Sequence, residues 1–247
     1  MSGIYERILK HHQNGRPQLA VLIDPDKLVP DALTTFAKDA ASLGADLILV
    51  GGSLLTTDRL NPVIRQLKEN TTLPVVIFPG SIMQVSAEAD ALLFLSLISG
   101  RNADYLIGNH VIVSPILKQL KLEPISTGYM LIESGRPTSA SYMSNSFPIP
   151  NNKPDIAAAH ALAADYLGLK QLYLEGGSGA DEPVPDSIIT AVRQVTNLPV
   201  WVGGGIRTPE VARQKVNAGA SVIVIGTHFE KQAGYQQVAN FAHAIKA

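Results

Sequence analysis

Three glycine-rich stretches dominate the second half of the chain: Leu174-Glu175-Gly176-Gly177-Ser178-Gly179, Gly203-Gly204-Gly205-Ile206-Arg207 and Gly226-Thr227. Glycine lets backbone N–H groups approach an oxyanion closely and adopts left-handed angles without steric penalty. Amides of a helix start or a turn then donate to the anion. Pro209 and Glu210 follow Arg207 where a helix should begin. Three such loops in succession predict a phosphate site. Glu175 lies inside this cluster, where a carboxylate beside phosphate is electrostatically costly. It suits a general base for a substrate hydroxyl or a stabiliser of developing positive charge, in preference to simple pairing with Arg207 or a backbone amide. Near the other end of the chain stand Asp24-Pro25-Asp26-Lys27 and Gly51-Gly52-Ser53. Carboxylate, hydroxyl and backbone oxygen are hard ligands suited to Mg²⁺, which takes one or two carboxylates and leaves the rest of its shell to substrate phosphates. Asp24 is the better candidate; Asp26 serves equally well as a helix cap or a surface turn.

Other chemistries find no support. The six histidines show no metal spacing. His11 and His12 belong to a polar N-terminal segment and are expected to be solvated, and His110, His160 and His228 are expected in packing or surface roles. No Gly-x-Ser-x-Gly elbow occurs. Cysteine is absent, which removes disulfides and thiolate chemistry and makes structural zinc improbable. Twenty basic residues against twenty-one acidic give a net charge of -1, so nothing draws the chain in bulk to nucleic acid or anionic membrane, and any anion site must be local. No apolar run reaches the roughly 20 residues that span a bilayer, and Met1 to Arg16 carries no apolar signal core. The expected location is the cytoplasm.

Short apolar runs recur along all 247 residues and must position these groups: 20–23, 47–50, 75–78, 91–95, 129–132, 171–174, 199–202 and 222–225. They are continuous rather than alternating, as in parallel strands buried on both faces. Helix-compatible segments lie between them at 31–43, 62–70, 156–167, 187–195 and 209–218. Helix-to-strand connections repeat a Gly or Pro signal, as in Leu43-Gly44-Ala45-Asp46 and Asn197-Leu198-Pro199-Val200. Eight strands alternating with helices predict a single-domain α/β fold, a (β/α)₈ TIM barrel in preference to a doubly wound open sheet, with active residues at the C-terminal strand ends. The stretch after Phe78 has room only for a short, irregular or missing third helix. The segment from Gly135 to Pro154, rich in Ser, Asn and Pro, is expected to be a long mobile loop and candidate lid. Met83, Val85, Leu93, Leu95, Leu97 and Ile98 surround the third and fourth strand ends, and would serve ordinary packing or a hydrocarbon groove alike.

These pieces resemble the geranylgeranylglyceryl phosphate synthase family, the phosphoglycerol prenyltransferases. The resemblance is carried by Leu22-Ile23-Asp24-Pro25-Asp26-Lys27, Val50-Gly51-Gly52-Ser53, Ser99-Gly100-Arg101-Asn102-Ala103-Asp104, Tyr173-Leu174-Glu175-Gly176-Gly177-Ser178-Gly179, Val202-Gly203-Gly204-Gly205-Ile206 and Val224-Ile225-Gly226-Thr227, in the family's order over nearly the whole chain. It implies transfer of a prenyl group, geranylgeranyl by expectation, from its diphosphate to the C3 hydroxyl of sn-glycerol 1-phosphate. It further implies Mg²⁺ on Asp24 and Ser53. Glycerol phosphate would be held by Tyr173, Leu174, Glu175, Gly176, Gly177, Ser178, Gly179, Gly204, Gly205, Gly226 and Thr227. Tyr173 and Glu175 would be catalytic, with Glu175 taking the hydroxyl proton. Arg101 and Asn102 become candidates for the diphosphate. A shorter-chain branch carries a lysine in the first strand; Ala20–Ile23 has none, so the chain is similar to the longer branch and the role of Lys27 stays open. A homo-oligomer, dimer or hexamer, is implied, with Tyr105 a candidate interface aromatic, and transient membrane contact for the product. Two alternatives share the late glycine loops: a phosphate-binding isomerase or synthase barrel of amino-acid or cofactor biosynthesis, and a non-catalytic phosphate-binding barrel.

Overall fold

The computed structural model describes residues 3–27, 30–226 and 237–247. Eight parallel strands form a closed barrel in sequence order: β1 Gln18–Ile23, β2 Leu47–Val50, β3 Val75–Ile77, β4 Ala91–Leu97, β5 Glu123–Leu131, β6 Gln171–Glu175, β7 Val200–Gly203 and β8 Val222–Ile225, with β8 pairing back onto β1. Around them run α1 Ile4–Gln13, α2 Pro30–Asp39, α3 Leu60–Asn70, α4 Asn109–Leu120, α5 Ser139–Ser144, α6 Pro154–Tyr166, α7 Asp186–Val195, α8 Pro209–Asn217 and α9 Gln237–Lys246. Closure leaves no sheet edge to protect. Among the described residues no helix is long and apolar enough to cross a membrane.

Alternation along each strand builds two cores. One set of side chains packs outward against the helices, including Val21, Ile48, Val50, Leu174 and Val202. The other fills the barrel, including Leu47, Leu49, Leu93, Tyr173 and Trp201. Inside the barrel, Trp201 Nε1 donates to Gln171 Oε1 at 3.0 Å and Gln171 Nε2 donates to Thr127 Oγ1 at 3.0 Å, so the polar atoms buried there are paired.

No helix links β3 to β4; turns fill the interval, as expected from its length. Several features depart from the sequence reading. The N-terminal segment is α1, and its Ile8 joins the inner core at 2% exposure, stoppering the barrel. His12, expected in solvent, is only half-exposed and is partnered: its ring meets Ser221 Oγ at 2.8 Å and the Asn197 carbonyl at 2.9 Å. A π-helical turn, Asp104–Gly108, leads into α4. The segment expected to be a long loop instead contains α5, opened by a capping box between Thr138 and Ser141, and bridges the barrel through Ile132 and Ile149.

Candidate active site

A cavity of about 610 Å³ opens at the C-terminal ends of the strands, where barrels of this kind carry their chemistry. Asp24, Ser53, Tyr173, Glu175, Gly177, Ser178, Gly179, Gly204, Gly205 and Gly226 all line it. Leu174 points the other way, into the outer core, because it alternates with Tyr173 and Glu175 on β6. Gly176 is buried behind the lining and donates its N–H to the Gly203 carbonyl at 2.9 Å. Thr227 and His228 lie outside the described residues.

Tyr173 and Glu175 share the inner face of β6, and the neighbouring strand makes room for both. A Cβ on Gly203 would lie 2.4 Å from the Tyr173 hydroxyl, and one on Gly204 would lie 2.7 Å from Glu175 Oε1. Gly204 and Gly205 also stand at φ +84° and +71°, the left-handed region that favours glycine. The glycine run after β7 is therefore demanded by the β6 pair and by its own turn. Glu175 is 7% exposed. Burial pushes its carboxyl up to about 7, partly offset by the Gly177 amide, which donates to Oε1 at 2.5 Å, and by the Tyr173 hydroxyl. Arg207 is not its partner: that guanidinium donates to the carbonyls of Ala180 and Asp181 at 2.6 and 2.9 Å. Phe78 and Tyr129 pack on Tyr173 at ring separations of 4.9 and 5.5 Å, forming an aromatic floor. Burial holds the Tyr173 and Tyr129 hydroxyls well above their usual range, with the Glu175 charge adding to it.

Across the mouth, β2 stands diametrically opposite β6 in the strand order. Beside it, just past the end of β1, Asp24 Oδ1 accepts the Asp26 N–H at 3.1 Å and Oδ2 meets Lys27 Nζ at 3.0 Å. Asp26 takes the structural role. It accepts from the Thr56 N–H at 2.6 Å, the Thr56 hydroxyl at 2.9 Å and the Thr57 hydroxyl, fastening the turn that follows Ser53. These bonds, the Thr57 hydroxyl first, hold its carboxyl below the ordinary carboxylate range.

Between the two polar poles the wall is apolar. Val85, Leu93, Leu95 and Leu97 line it, whereas Met83 is 84% exposed and Ile98 packs against the outer core. Arg101 turns to the Gly100 carbonyl at 2.7 Å and Asn102 to the Ser144 carbonyl at 3.2 Å, and neither lines the cavity. Tyr105, His110 and Arg136 do line it and were not singled out for it by sequence. Tyr105 donates to the Met143 carbonyl at 3.2 Å, tying the π-helical turn to α5. His110 is buried, with Nε2 3.0 Å from Ser96 Oγ and its ring edge-on to Phe94. A residue's approach from a distant turn or helix leaves no periodic signal at its own position.

Eight parallel strands, glycine loops on three successive late strands and a buried carboxylate facing a half-apolar cavity define a (β/α)₈ barrel with its candidate active site at the C-terminal strand ends. Residues 12–245 match the PcrB family. The chain is 48% identical over 218 residues to the geranylgeranylglyceryl phosphate synthase of Spirosoma linguale, covering 88% of each chain. To that of Chitinophaga pinensis it is 45% identical over 242 residues, covering 98% of this chain and 96% of the relative. Its fold superposes with a TM-score of 0.93, at 34% identity and with 100% and 99% of the two chains covered, on (S)-3-O-geranylgeranylglyceryl phosphate synthase from Thermoplasma acidophilum, solved in complex with substrate sn-glycerol-1-phosphate. The chain belongs to the PcrB family, that of the geranylgeranylglyceryl phosphate synthases, and is an enzyme of the transferase class.

Proposed function

We propose that the enzyme joins a prenyl diphosphate, geranylgeranyl diphosphate in the first instance, to the C3 hydroxyl of sn-glycerol 1-phosphate. The observation that carries this reading is one cavity lined by Glu175 and the glycine loops on one side, Asp24 and Ser53 on the other, and hydrocarbon-compatible residues between. Glycerol phosphate would rest on the loops after β6, β7 and β8, with its C3 hydroxyl toward Glu175. The carboxylate takes the hydroxyl proton as the C3 oxygen bonds to C1 of the prenyl chain. The C1–O bond to the diphosphate breaks with both electrons leaving on diphosphate, so the products are the prenylglyceryl phosphate ether, diphosphate and a proton on Glu175. Until it takes the proton, the Glu175 charge also faces the allylic carbon as positive charge develops there. The aromatic floor and apolar wall keep water from competing as nucleophile.

The donor set fits a hard dication: one carboxylate, Asp24, and one hydroxyl, Ser53, leave room for phosphate oxygens. A Mg²⁺ ion there would offset diphosphate charge and favour its departure. We place the reaction in the cytoplasm, with transient membrane contact as the lipid product leaves. Exposed Ile107, Val111 and Ile112 on the outer face of α4 and its leading turn support a homo-oligomer, dimer or hexamer.

The test is ether formation from geranylgeranyl diphosphate and labelled glycerol 1-phosphate, with and without Mg²⁺ and with Glu175→Gln. Label should pass to the organic phase with wild type, stop on chelation, return with Mg²⁺, and stay in water with the variant. No transfer with any prenyl chain length would reject the reading.

A further inference from the structure

The segment between β5 and α5 lies directly against the glycine loop after β6. A Cβ on Gly177, at φ +99°, would come within 2.2 Å of the Thr138 side chain. The Arg136 guanidinium lines the cavity and donates to the Gly179 carbonyl, and its Nε stands 3.5 Å from Asp181 Oδ1. Of the cations lining the cavity, Lys27 is paired with Asp24 across the mouth. Arg207 has both terminal nitrogens committed to the carbonyls of Ala180 and Asp181. Arg136 holds its place more loosely, by one carbonyl and a long ion pair in which both side chains are about half exposed. An exposed pair of that length contributes little, whereas a phosphate dianion offers a guanidinium two charge-assisted hydrogen bonds at once.

We propose that Arg136 is a binding residue for the phosphate of glycerol phosphate, exchanging Asp181 for the bound dianion and drawing the β5–α5 segment down over the glycine loop. The inference rests on the function proposed above and adds a side-chain charge to a site otherwise built of backbone amides. Asp181 then acts as the counter-ion that parks the guanidinium in the free enzyme.

Calorimetric titration with inorganic phosphate and with glycerol 1-phosphate decides the matter, because it needs no prenyl donor. Arg136→Ala should weaken both ligands about tenfold or more, and Arg136→Lys should recover part of the loss as a point charge without the fork. Asp181→Asn should tighten both, since it frees Arg136 and removes a nearby negative charge. In turnover, Arg136→Ala should raise KM for glycerol 1-phosphate far more than it lowers kcat, and leave KM for the prenyl diphosphate unchanged. Equal phosphate affinity in wild type and Arg136→Ala would overturn the inference. So would a loss in Asp181→Asn as large as that in Arg136→Ala, which would mark the pair as structural. Wild type that takes up phosphate yet transfers no prenyl group would overturn the function alone, with Arg136 still decided by the titration; wild type that binds neither ligand would overturn both.

Discussion

The Tyr173 hydroxyl donates to the carboxylate of Glu175 two residues further along the same strand, so one β-strand supplies both the candidate base and a support for its ionised form. Burial raises the carboxyl to about 7, and the tyrosine works against that rise. Activity under kcat/KM conditions should therefore climb through about pH 7 as Glu175 loses its proton, and level off above. Glu175→Gln should lower kcat by roughly 10²–10⁴ and abolish the limb. Tyr173→Phe should move the limb to higher pH, since the ion loses a donor. A limb that stays in place in Tyr173→Phe would separate the two residues.

The same burial makes Glu175 a cost to the fold. Its folded value lies above the 4.5 of the free side chain, so between these values the folded state holds more protons than the unfolded one, and stability falls as pH rises through that window. The shift corresponds to roughly 3 kcal/mol once the group is ionised. Glu175→Gln should raise the thermal midpoint at pH 8 and give little or no gain at pH 4.5. Equal gains at both pH values would show that the ionised carboxylate is not the origin.

How far the sequence carried depended on where each signal was local. The runs at 47–50 and 222–225 coincide with β2 and β8, because a strand buried on both faces is apolar throughout. Only the end of β5 was legible: its first half, with Pro124, Ser126, Thr127 and Gly128, reads as polar because alternate residues are partly exposed and Thr127 is paired inside the barrel. α1 stayed hidden since only Ile8 of its ten residues is fully buried. In the site, Asp24, Ser53, Glu175 and the glycines were legible from strand ends alone. The aromatic floor of Phe78 and Tyr129, the room made by Gly203 for Tyr173, and the reach of Arg136 to Gly179 depend on residues that meet only across strands or loops.

The glycines separate into those needed for space and those needed only for conformation. Gly204 stands at φ +84°, and a Cβ there would lie 2.4 Å from the Gly177 nitrogen and 2.7 Å from Glu175 Oε1. Gly15 stands at φ +62° with nothing within 4 Å of its missing Cβ. Gly15→Ala should cost only the left-handed strain, about 1–2 kcal/mol, and leave phosphate binding unchanged. Gly204→Ala should cost more, because two backbone segments must part, and it should weaken phosphate binding as well. Denaturant unfolding and phosphate titration on both variants check this; equal losses would remove the steric argument.

At the opposite end of the barrel, His12 ties α1 to the strand starts. A carbonyl only accepts, so Nε2 carries the proton toward Asn197, and Nδ1 accepts from the Ser221 hydroxyl, whose oxygen also accepts the Val200 N–H at 3.2 Å. A second ring proton would oppose that arrangement. Burial lowers the ring's proton affinity, the Arg193 charge adds to this, and the Asn197 hydrogen bond partly opposes it. The unfolded chain therefore binds the proton more readily, so the latch contributes fully above the ordinary value of 6.5 and weakens as pH falls through the lower folded value. Glu175 titrates with the opposite sign in the neighbouring window, and His110, lowered by burial, with the same sign. The effect must then be read as a difference: unfolding midpoints at pH 5.5 and 7.5 for Glu175→Gln and for Glu175→Gln with His12→Gln. Stability should drop on acidification in the first and drop less in the second, because glutamine can still donate to Asn197 but does not titrate. An equal drop in both would place the acid sensitivity elsewhere, with α1 held by the burial of Ile8 and by the Ile4 and Tyr5 amides on the Glu123 carboxylate.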